Sequence, residues 1–328
     1  MSKFVRVAQT SQSLSFAAME EASRLGLRTA DIEHLFLALV INDQSAGRAL
    51  RDLGIDLDTA RRAVEEQHAA QLASLGIEAS FPEAGRIVFH ETDGYEWSKR
   101  ASNLIARSAD KDKAGDAAAV LRELVAEPSG LIADILERLG TTPDVLLEHL
   151  DALDSSTPAT APAAAMRGRI SGSTETFVPA PIERIWDYLA EPTNIPQWEM
   201  SVGSIEHAEQ DAAIGAVWTG LAREQRPDGK PVKVKPRFRR RRIELVAAHP
   251  TERIDWSFAY PDAPRSSSAL MEFTLAPTNG GTQVSITTSW SRRPGWRRVV
   301  GLPLRPIQKF IVWITLFQIG GALSRAFR

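Results

Sequence analysis

The chain has 328 residues, a length that favours about two domains. Hydrophobic residues make up 43% of it and charged residues 24%, which is typical of a globular protein and excludes a disordered or fibrous chain. Because no cysteine is present, disulfides, thiolate catalysis and cysteine-bound metals are excluded, and a reducing cytoplasm is the expected compartment. The first residues, MSKFVRVAQTSQS, lack the apolar core of a secretory signal.

Charge divides unevenly along the chain. Residues 1–151 hold 16 Lys and Arg against 25 Asp and Glu, a formal charge of −9, and the remainder carries +7 within the total of −2. Seven of the eight tryptophans follow residue 152, and a Ser/Thr/Ala/Pro-rich stretch fills 155–165. Such a stretch buries little apolar surface and stays extended or flexible. We therefore predict an acidic domain at 1–151, a linker at 152–168 and a basic, Trp-rich domain at 169–328.

The first domain has the pattern of a helical repeat. Asp31 can cap a helix whose apolar residues follow at helical spacing, and a second candidate cap, Asp116, precedes the same pattern 85 residues later. After a one-residue insertion, LERLG at 136–140 matches LRDLG at 50–54. The sequence thus predicts two four-helix repeats, at about 8–66 and 93–151.

The segment AMEEASRLGLRTADIEHLFLAL, followed by ALRDLGID, resembles the amino-terminal repeat domain of Clp-family protein-unfolding ATPases over about residues 4–150. In that family the domain docks adaptors, recruits substrates that include arginine-phosphorylated proteins, and in some members binds cyclic peptides. The resemblance implies a peptide- or adaptor-binding surface at Phe4, Glu33 and His34, with Glu33 facing a cation or a phosphoarginine. The second repeat has Ala118 and Ala119 where a Glu-His pair is expected. Capping and packing are the alternative role for Glu33 and His34.

The ATPase motor of that family has no counterpart here. The sequence contains no G-x-x-x-x-G-K-[ST] motif, whose backbone would cradle nucleotide phosphates. A recruitment domain without a motor can bind, deliver or sequester a partner, but it cannot unfold one.

The second domain reads as strand, two helices, strands and a final helix. A strand is predicted at 170–178, a helix at 182–189 and a short helix around 193–198. Alternating apolar residues predict strands at 254–260, 269–275 and 284–290, with less regular strands at about 201–208, 215–223 and 231–247. An apolar segment from 306 to 327 closes the chain as a helix.

The segment TETFVPAPIERIWDYLAEPTNIPQWE resembles the SRPBCC superfamily of START-like and polyketide-cyclase-like helix-grip proteins, over about 168–328. The resemblance implies a strongly bent antiparallel sheet around the last helix, so the fold class is a helical repeat domain followed by an α+β domain. Members of the superfamily bind lipids, sterols or polyketides, and some cyclise or hydrolyse them. We expect a hydrophobic small molecule in an apolar cavity. Its expected lining is Trp186, Trp198, Trp256, Phe258, Phe273, Trp290, Phe310 and Ile314.

Catalytic and metal-binding motifs are missing from the sequence. The six histidines never pair at metal-ligand spacing and no G-x-S-x-G occurs, so we expect no metal, no cofactor and no catalytic residue. A general acid would have to be Glu199, Glu206, Asp255 or Glu272 facing the cavity. Alternation places Asp255 and Glu272 opposite their apolar neighbours, toward solvent. An enzyme of the cyclase or hydrolase kind stays open as an alternative.

The basic segment PVKVKPRFRRRRIELV, residues 231–246, is a second binding candidate. A continuous strand would turn Arg240 and Arg242 toward the apolar side, where they could hold an anionic head group as bidentate donors. A bulge or turn near 239–242 would instead reset the register and leave every arginine in solvent. Nucleic acid is not favoured, because no nucleic-acid-binding fold accompanies the run.

The last helix is apolar on every face. Residues 310–324 carry no charge, but a helix of 15 residues rises only about 22 Å, short of the roughly 30 Å hydrocarbon core of a bilayer. A membrane span is therefore not expected. The face of this helix that does not pack on the sheet also needs to be buried. It could pack against flanking loops, the first domain, a homodimer partner or a membrane surface as a peripheral contact.

Taken together, these patterns favour a non-catalytic binding or adaptor-like protein. Its first domain would recognise a peptide, an adaptor or another ligand of Clp amino-terminal domains, as a regulator or decoy in Clp proteolysis, and its second would bind a hydrophobic small molecule. A cyclase- or hydrolase-like enzyme and a lipid-surface or chaperone-like protein are the alternatives.

Overall fold

The computed structural model describes residues 3–77, 85, 87, 94–156, 169–206, 213–225, 229–291 and 305–328. The side chains of 4–5, 156, 169–170 and 305–310 are outside that description. The chain divides into two compact units, Met1–Ala159 and Thr160–Arg328, and each is considered by itself.

The first unit is a double repeat of four helices. The first repeat comprises α1 (Lys3–Arg24), α2 (Ile32–Val40), α3 (Ser45–Asp52) and α4 (Leu57–Ser74). The second comprises α5 (Lys99–Ser108), α6 (Ala117–Val125), α7 (Leu131–Arg138) and α8 (Pro143–Ser156). The start of α6 follows that of α2 by 85 residues, and α7 and α8 follow α3 and α4 by 86. The predicted helical repeat and its one-residue insertion are confirmed, with one short strand pair added to the helices.

Helix α2 is the centre of this unit. Every residue from Ile32 to Val40 is buried, because helices of both repeats pack around it. Two short parallel strands, β1 (Thr29–Ala30) and β2 (Glu96–Trp97), join the segments that precede α2 and α5. Strands of two residues carry no recognisable alternation, so the sequence did not predict this pairing.

Helix α8 runs further than the sequence suggested. It continues to Ser156, so the first five residues of the predicted linker are helical, and 157–168 lie outside the described residues. Arg122 Nη2 donates to Asp151 Oδ1 at 2.6 Å and to Asp154 Oδ2 at 2.9 Å. These two bonds tie the last turns of α8 to α6 and explain why the helix does not stop at the repeat boundary.

The described residues of the second unit form an antiparallel sheet with three α-helices. Strand β3 (Arg169–Val178) leads to α9 (Ile182–Ala190), a 3₁₀ turn (Pro192–Asn194) and α10 (Ile195–Trp198). The remaining strands are β4 (Val202–Glu206), β5 (Val217–Ala222), β6 (Arg240–His249), β7 (Arg253–Ala259), β8 (Ala269–Thr278) and β9 (Gly281–Ser291). Helix α11 (Arg305–Ala326) closes the chain. The sheet order β3-β9-β8-β7-β6-β5-β4, with every pair antiparallel, confirms the predicted helix-grip fold.

Helix α11 lies across the inner face of the sheet and presents Val312, Leu316, Ile319 and Leu323 to the core. It approaches β3 closely, because a Cβ atom at Gly172 would lie only 2.4 Å from Val312 Cγ1. The helix is therefore seated over the β3 and β9 side of the sheet. Over β7 the core is filled instead by Trp198 of α10, by Trp218 of β5 and by α9, whose Leu189 carbonyl accepts from Trp256.

The opposite face of α11 is apolar as well, since Ile311 is 53% exposed and the rings of Trp313 and Phe317 stack at 5.8 Å. No helix in the described part of the chain combines the length and the hydropathy that a membrane span requires.

Candidate functional site

The basic segment 231–246 does not form one continuous strand. A 3₁₀ turn at Pro236–Phe238 interrupts it, and β6 begins at Arg240. Ile243 and Leu245 then point into the core, which places Arg240 and Arg242 on the exposed face. The inward orientation expected for these two arginines is therefore corrected: the turn resets the alternation. Binding of an anionic head group by these two arginines stays a prediction, but their inward orientation no longer supports it.

Both arginines have partners on that exposed face. Arg240 forms a bidentate pair with Asp262, Nε to Oδ2 at 2.9 Å and Nη2 to Oδ1 at 2.7 Å, and Arg242 pairs with Glu244. The hydrogen bond and the charge of Arg240 lower the pKa of Asp262 below its ordinary value. These pairs are surface ion pairs of the outer face.

Arg241 is the arginine on the inner face. It pairs across the ladder with Gly220, and its guanidinium carbon lies 4.7 Å from the ring centre of Tyr260, whose hydroxyl accepts from Nη2. Its Nη1 lies 3.7 Å from Oε1 of Glu199, which is 5% exposed and also accepts from the backbone N–H and the hydroxyl of Ser201. Glu199 was a candidate acid from the sequence, but Arg241 was not a candidate. A continuous strand over 231–246 would have placed Arg241 on the outer face of the sheet.

Aromatic side chains fill the interior beside this polar cluster. Trp198 meets Phe258 and Phe273 edge to face, with ring centres 6.1 and 5.2 Å apart, and Trp218 lies 5.6 Å from Trp256 at a tilt. All five are fully or almost fully buried. Trp218 was not among the predicted cavity residues, although the alternation along β5, which it shares with Gly220, indicates an inward side chain.

The predicted cavity residues fall into three groups. Trp198, Trp256, Phe258 and Phe273 are brought together in the core. Trp186 and Trp290 are partly buried against the same core, and Ile314 is half-buried on α11. Phe310 lies in α11, but its side chain is outside the described residues. That these residues line a ligand cavity remains a prediction.

The other candidate acids lie away from this interior. Arg253 donates to Asp255 Oδ2 at 2.7 Å and to Glu272 Oε1 at 2.5 Å, on the face opposite Trp256. Asp255, expected in solvent, is only 4% exposed, because the guanidinium of Arg253 lies against its carboxylate. Glu206 is exposed on β4.

In the first unit, the predicted surface begins with a helix cap. Asp31 accepts from the backbone N–H of Ile32 at 2.8 Å, from Ser98 Oγ at 2.6 Å and from Arg100 Nη2 at 3.3 Å. Burial alone would raise the pKa of Asp31, but these hydrogen bonds and the Arg100 charge outweigh it and hold the pKa below its ordinary value of 3.8. Asp31 thus caps α2 and ties it to the start of α5.

His34 completes the cap and Glu33 stands beside it. His34 Nδ1 accepts from the backbone N–H of Asp31 at 3.2 Å, which is the capping role that was the alternative for this residue. A nitrogen that accepts this bond cannot at the same time donate to Glu33 Oε1, 3.3 Å away. The Glu33 carboxylate, 8% exposed, therefore keeps capacity to accept from a further donor.

The second repeat lacks this arrangement. Asp116 caps α6 by accepting from the backbone N–H of Ala119 at 3.0 Å, but Ala118 and Ala119 occupy the positions of Glu33 and His34 and are buried. Phe4 lies in α1, and its side chain is outside the described residues.

A polar groove of about 530 Å³ lies between α4 and α7. Gln67 spans it, donating from Nε2 to Asp134 Oδ2 at 2.8 Å and accepting from Arg138 Nε at 2.6 Å. These bonds link the two repeats. Across the described ranges, no group of three or more His, Asp or Glu side chains is arranged to hold a metal ion.

Comparison with known families matches both units. Residues 8–83 match the family model of the Clp repeat (R) N-terminal domain, and residues 179–299 match that of Activator of Hsp90 ATPase homolog 1-like protein. The chain thus carries a Clp repeat domain followed by a domain of the SRPBCC type, as both resemblances predicted. Among curated proteins, none matches the chain.

Solved structures resemble the chain at low identity. A protein from Chromobacterium violaceum is 19% identical, with 48% of this chain and 99% of that one covered and a TM-score of 0.31. A polyketide-cyclase-like protein from Corynebacterium glutamicum is 16% identical, with 50% and 92% covered and a TM-score of 0.32. The di-domain ARO/CYC protein of the steffimycin biosynthetic pathway is 14% identical, with 62% and 59% covered and a TM-score of 0.36.

Proposed function

We propose that this chain is a non-catalytic, adaptor-like binding protein. Its Clp repeat unit recognises a peptide, an adaptor or another ligand of Clp amino-terminal domains, and its helix-grip unit binds a hydrophobic small molecule. The observation that carries the proposal is the fusion of these two domains in a sequence without a phosphate-binding loop. Such a chain regulates Clp proteolysis by holding a ligand or by competing for it.

The charge of the first unit supports a cationic group on the ligand. Residues 1–151 carry −9, and the Glu33 carboxylate stands at the start of α2 with acceptor capacity left by His34. A guanidinium matches a carboxylate as a bidentate donor. Since Ala118 replaces this carboxylate in the second repeat, the proposal is one such site per chain rather than a symmetric pair.

The acid of the second unit acts as a counter-ion in this proposal. Glu199 accepts from Ser201 and stands 3.7 Å from Arg241, so its oxygens already face donors. A general acid must reach the substrate, whereas the Glu199 carboxylate is engaged by Ser201 and lies beside Arg241. The cyclase- or hydrolase-like alternative therefore gains no support from Glu199.

The peptide half of the proposal is tested by fluorescence anisotropy on the full chain, with labelled peptides that carry arginine, phosphoarginine or citrulline at one position. We expect saturable one-to-one binding of an arginine or phosphoarginine peptide, weakened roughly 10-fold or more by Glu33→Gln, since a charged hydrogen bond contributes about 1.5–3 kcal/mol. Ala118→Glu, which restores the missing carboxylate, is expected to add a second site.

Three results would contradict this half. No binding of any peptide at high micromolar concentration removes it. Equal binding of the citrulline peptide would contradict a contact with a cationic group. An affinity that Glu33→Gln leaves unchanged would contradict the assignment of Glu33 to the site.

A further inference from the structure

Positive charge in the second unit is concentrated at one end of its sheet. Because every strand pair is antiparallel, β3 and β6 start at the same end at which β5 and β7 finish. The described residues of the β5–β6 connection, 223–225 and 229–239, hold six Lys and Arg against one Glu. In the described parts of the β4–β5, β6–β7 and β8–β9 connections, which lie at the opposite end, the one charged residue is Glu252. We call the first of these ends the basic end.

Exposed cations of the basic end are not neutralised by neighbouring acids. Arg240 is paired with Asp262 and Arg242 with Glu244. Four further exposed cations have no carboxylate partner within the described part of the chain: Lys233, Lys235, Arg239 and, in the β7–β8 connection, Arg265. Like charges gathered in this way attract an anionic partner that is large enough to meet several of them.

Apolar side chains stand among these cations. Val232 and Val234 are only partly buried, and they alternate with Lys233 and Lys235 in the segment before the 3₁₀ turn. A lysine can lay its methylene stem along such a surface while its ammonium group stays in water. Cations interleaved with apolar residues are typical of surfaces that lie at the interface of a bilayer.

Helix α11 brings a further apolar side chain to the same end. A Cβ atom at Gly172, near the start of β3, would meet Val312, whereas one at Gly320 would meet Thr176 further along β3. The first turns of α11 therefore lie toward the basic end. Ile311, in these turns, is 53% exposed.

Anionic lipid fits this surface better than nucleic acid. Proteins that bind single strands offer aromatic faces to the bases, but the ring of Phe238 already meets Tyr260 edge to face at 4.9 Å and has the Arg237 guanidinium over it at 4.9 Å. A duplex would neutralise the cations and leave the apolar side chains without a partner. A bilayer engages both, because its phosphates attract the cations and its headgroup region accepts apolar side chains.

We propose that the basic end of the helix-grip unit docks on the surface of a membrane that contains anionic lipid. Lys233, Lys235 and Arg239 meet the lipid phosphates, and Ile311 enters the headgroup region. The contact is peripheral. It goes beyond the proposed function and does not rest on it, because neither peptide binding nor small-molecule binding requires a membrane.

Co-sedimentation of the full chain with lipid vesicles tests the inference. Vesicles of phosphatidylcholine are compared with vesicles that also contain about 30 mol% phosphatidylglycerol, an anionic lipid. We expect the chain to bind the anionic vesicles and not the neutral ones. Binding is expected to fall roughly 10-fold or more when salt rises from about 0.1 M to about 1 M, since the Debye length shortens from about 10 Å to about 3 Å.

Three variants locate the contact, and all the substituted side chains are exposed. The double variant Lys233→Gln with Lys235→Gln is expected to weaken binding to anionic vesicles roughly 30-fold, because each cation near such a surface contributes a factor of about five. Ile311→Ser is expected to weaken it roughly 3-fold or more. The matched control, Arg28→Gln with Arg62→Gln, changes the net charge equally but in the first unit, and is expected to bind as the wild type does.

Several results would overturn the inference. Equal binding to the two kinds of vesicle, or binding that persists at high salt, contradicts an electrostatic contact with anionic lipid. Equal losses in the lysine variant and its matched control reduce the effect to net charge, and no loss in the lysine variant excludes the basic end. Displacement from the vesicles by a duplex oligonucleotide at equal phosphate concentration assigns the surface to nucleic acid instead. Failure to bind any vesicle removes the membrane contact and leaves the proposed peptide and small-molecule binding untouched.

Discussion

The cap at Asp31 makes a quantitative prediction about how the two repeats are joined. Asp31 accepts from the N terminus of α2 and from Ser98 and Arg100 of the other repeat, whereas Asp116, its counterpart, accepts only from Ala119 among the bonds described. Loss of an N-cap costs about 1 kcal/mol, a hydroxyl hydrogen bond about 1 kcal/mol, and a partly exposed ion pair less than about 1 kcal/mol. Asp31→Ala is therefore expected to cost about 2–3 kcal/mol and Asp116→Ala about 1 kcal/mol.

Urea unfolding of the full chain can measure this difference in one sample. Far-UV circular dichroism is dominated by the mainly helical first unit, while tryptophan fluorescence reports mainly the second, which holds seven of the eight tryptophans. We expect both variants to shift the dichroism transition, Asp31→Ala by more, and to leave the fluorescence transition in place. Equal shifts, or a larger one for Asp116→Ala, would refute the cross-link between repeats.

The same residue predicts a dependence on pH. The pKa of Asp31 is lower in the folded chain than its ordinary value of 3.8, so its contribution is complete above that value. It is lost as the pH falls through the lower folded pKa, because the protonated side chain no longer binds Arg100 as an anion. The difference between wild type and Asp31→Ala should therefore shrink in acid, and a constant difference would contradict the charge of Asp31 as the cause.

Three further substitutions test the second unit by thermal or urea unfolding. Thr251 has φ +60° in the β6–β7 turn, so Thr251→Asn should raise the free energy of unfolding by about 0.5–1 kcal/mol, and a decrease would contradict this strain. Gly172→Ala in β3 should cost about 1–3 kcal/mol through contact with Val312, whereas Gly321→Ala in α11, where a Cβ atom would meet Arg325 Nη1 at an ordinary 3.7 Å, should gain up to about 1 kcal/mol; equal effects would refute the close approach of α11 to β3. Arg253→Ala should cost about 2 kcal/mol, because it leaves the adjacent carboxylates of Asp255 and Glu272 without their shared cation. Adding Glu272→Gln should recover part of that loss, and no recovery would exclude repulsion between the carboxylates as the cause.

The architecture was predictable because it depends on local and repeated signals. The return of the α2 pattern at α6 revealed the repeat, and the alternation of β7, β8 and β9 revealed the sheet. Helix α11 was predicted from the length of its apolar segment. Its close approach to the sheet depends on Gly172, a residue whose importance a hydrophobic pattern does not reveal.

The candidate site was less predictable, since it depends on where a strand begins. Arg240, Arg241 and Arg242 are chemically alike, and only the turn at Pro236–Phe238 decides that Arg241 faces inward. The burial of Asp255 depends likewise on Arg253, whose long side chain lies against it. Alternation predicts the face on which a residue lies, but not which neighbour its side chain covers. That the indoles of Trp198 and Trp218 have no hydrogen-bond partner among the described residues becomes apparent only when their neighbours have been placed.

Native mass spectrometry of the full chain, purified from its own host, tests the small-molecule half of the binding function most directly. The account predicts a fraction of the protein at the polypeptide mass plus one small molecule, which is released on denaturation. Protein that carries only the bare polypeptide mass in every preparation would contradict the small-molecule half of the function.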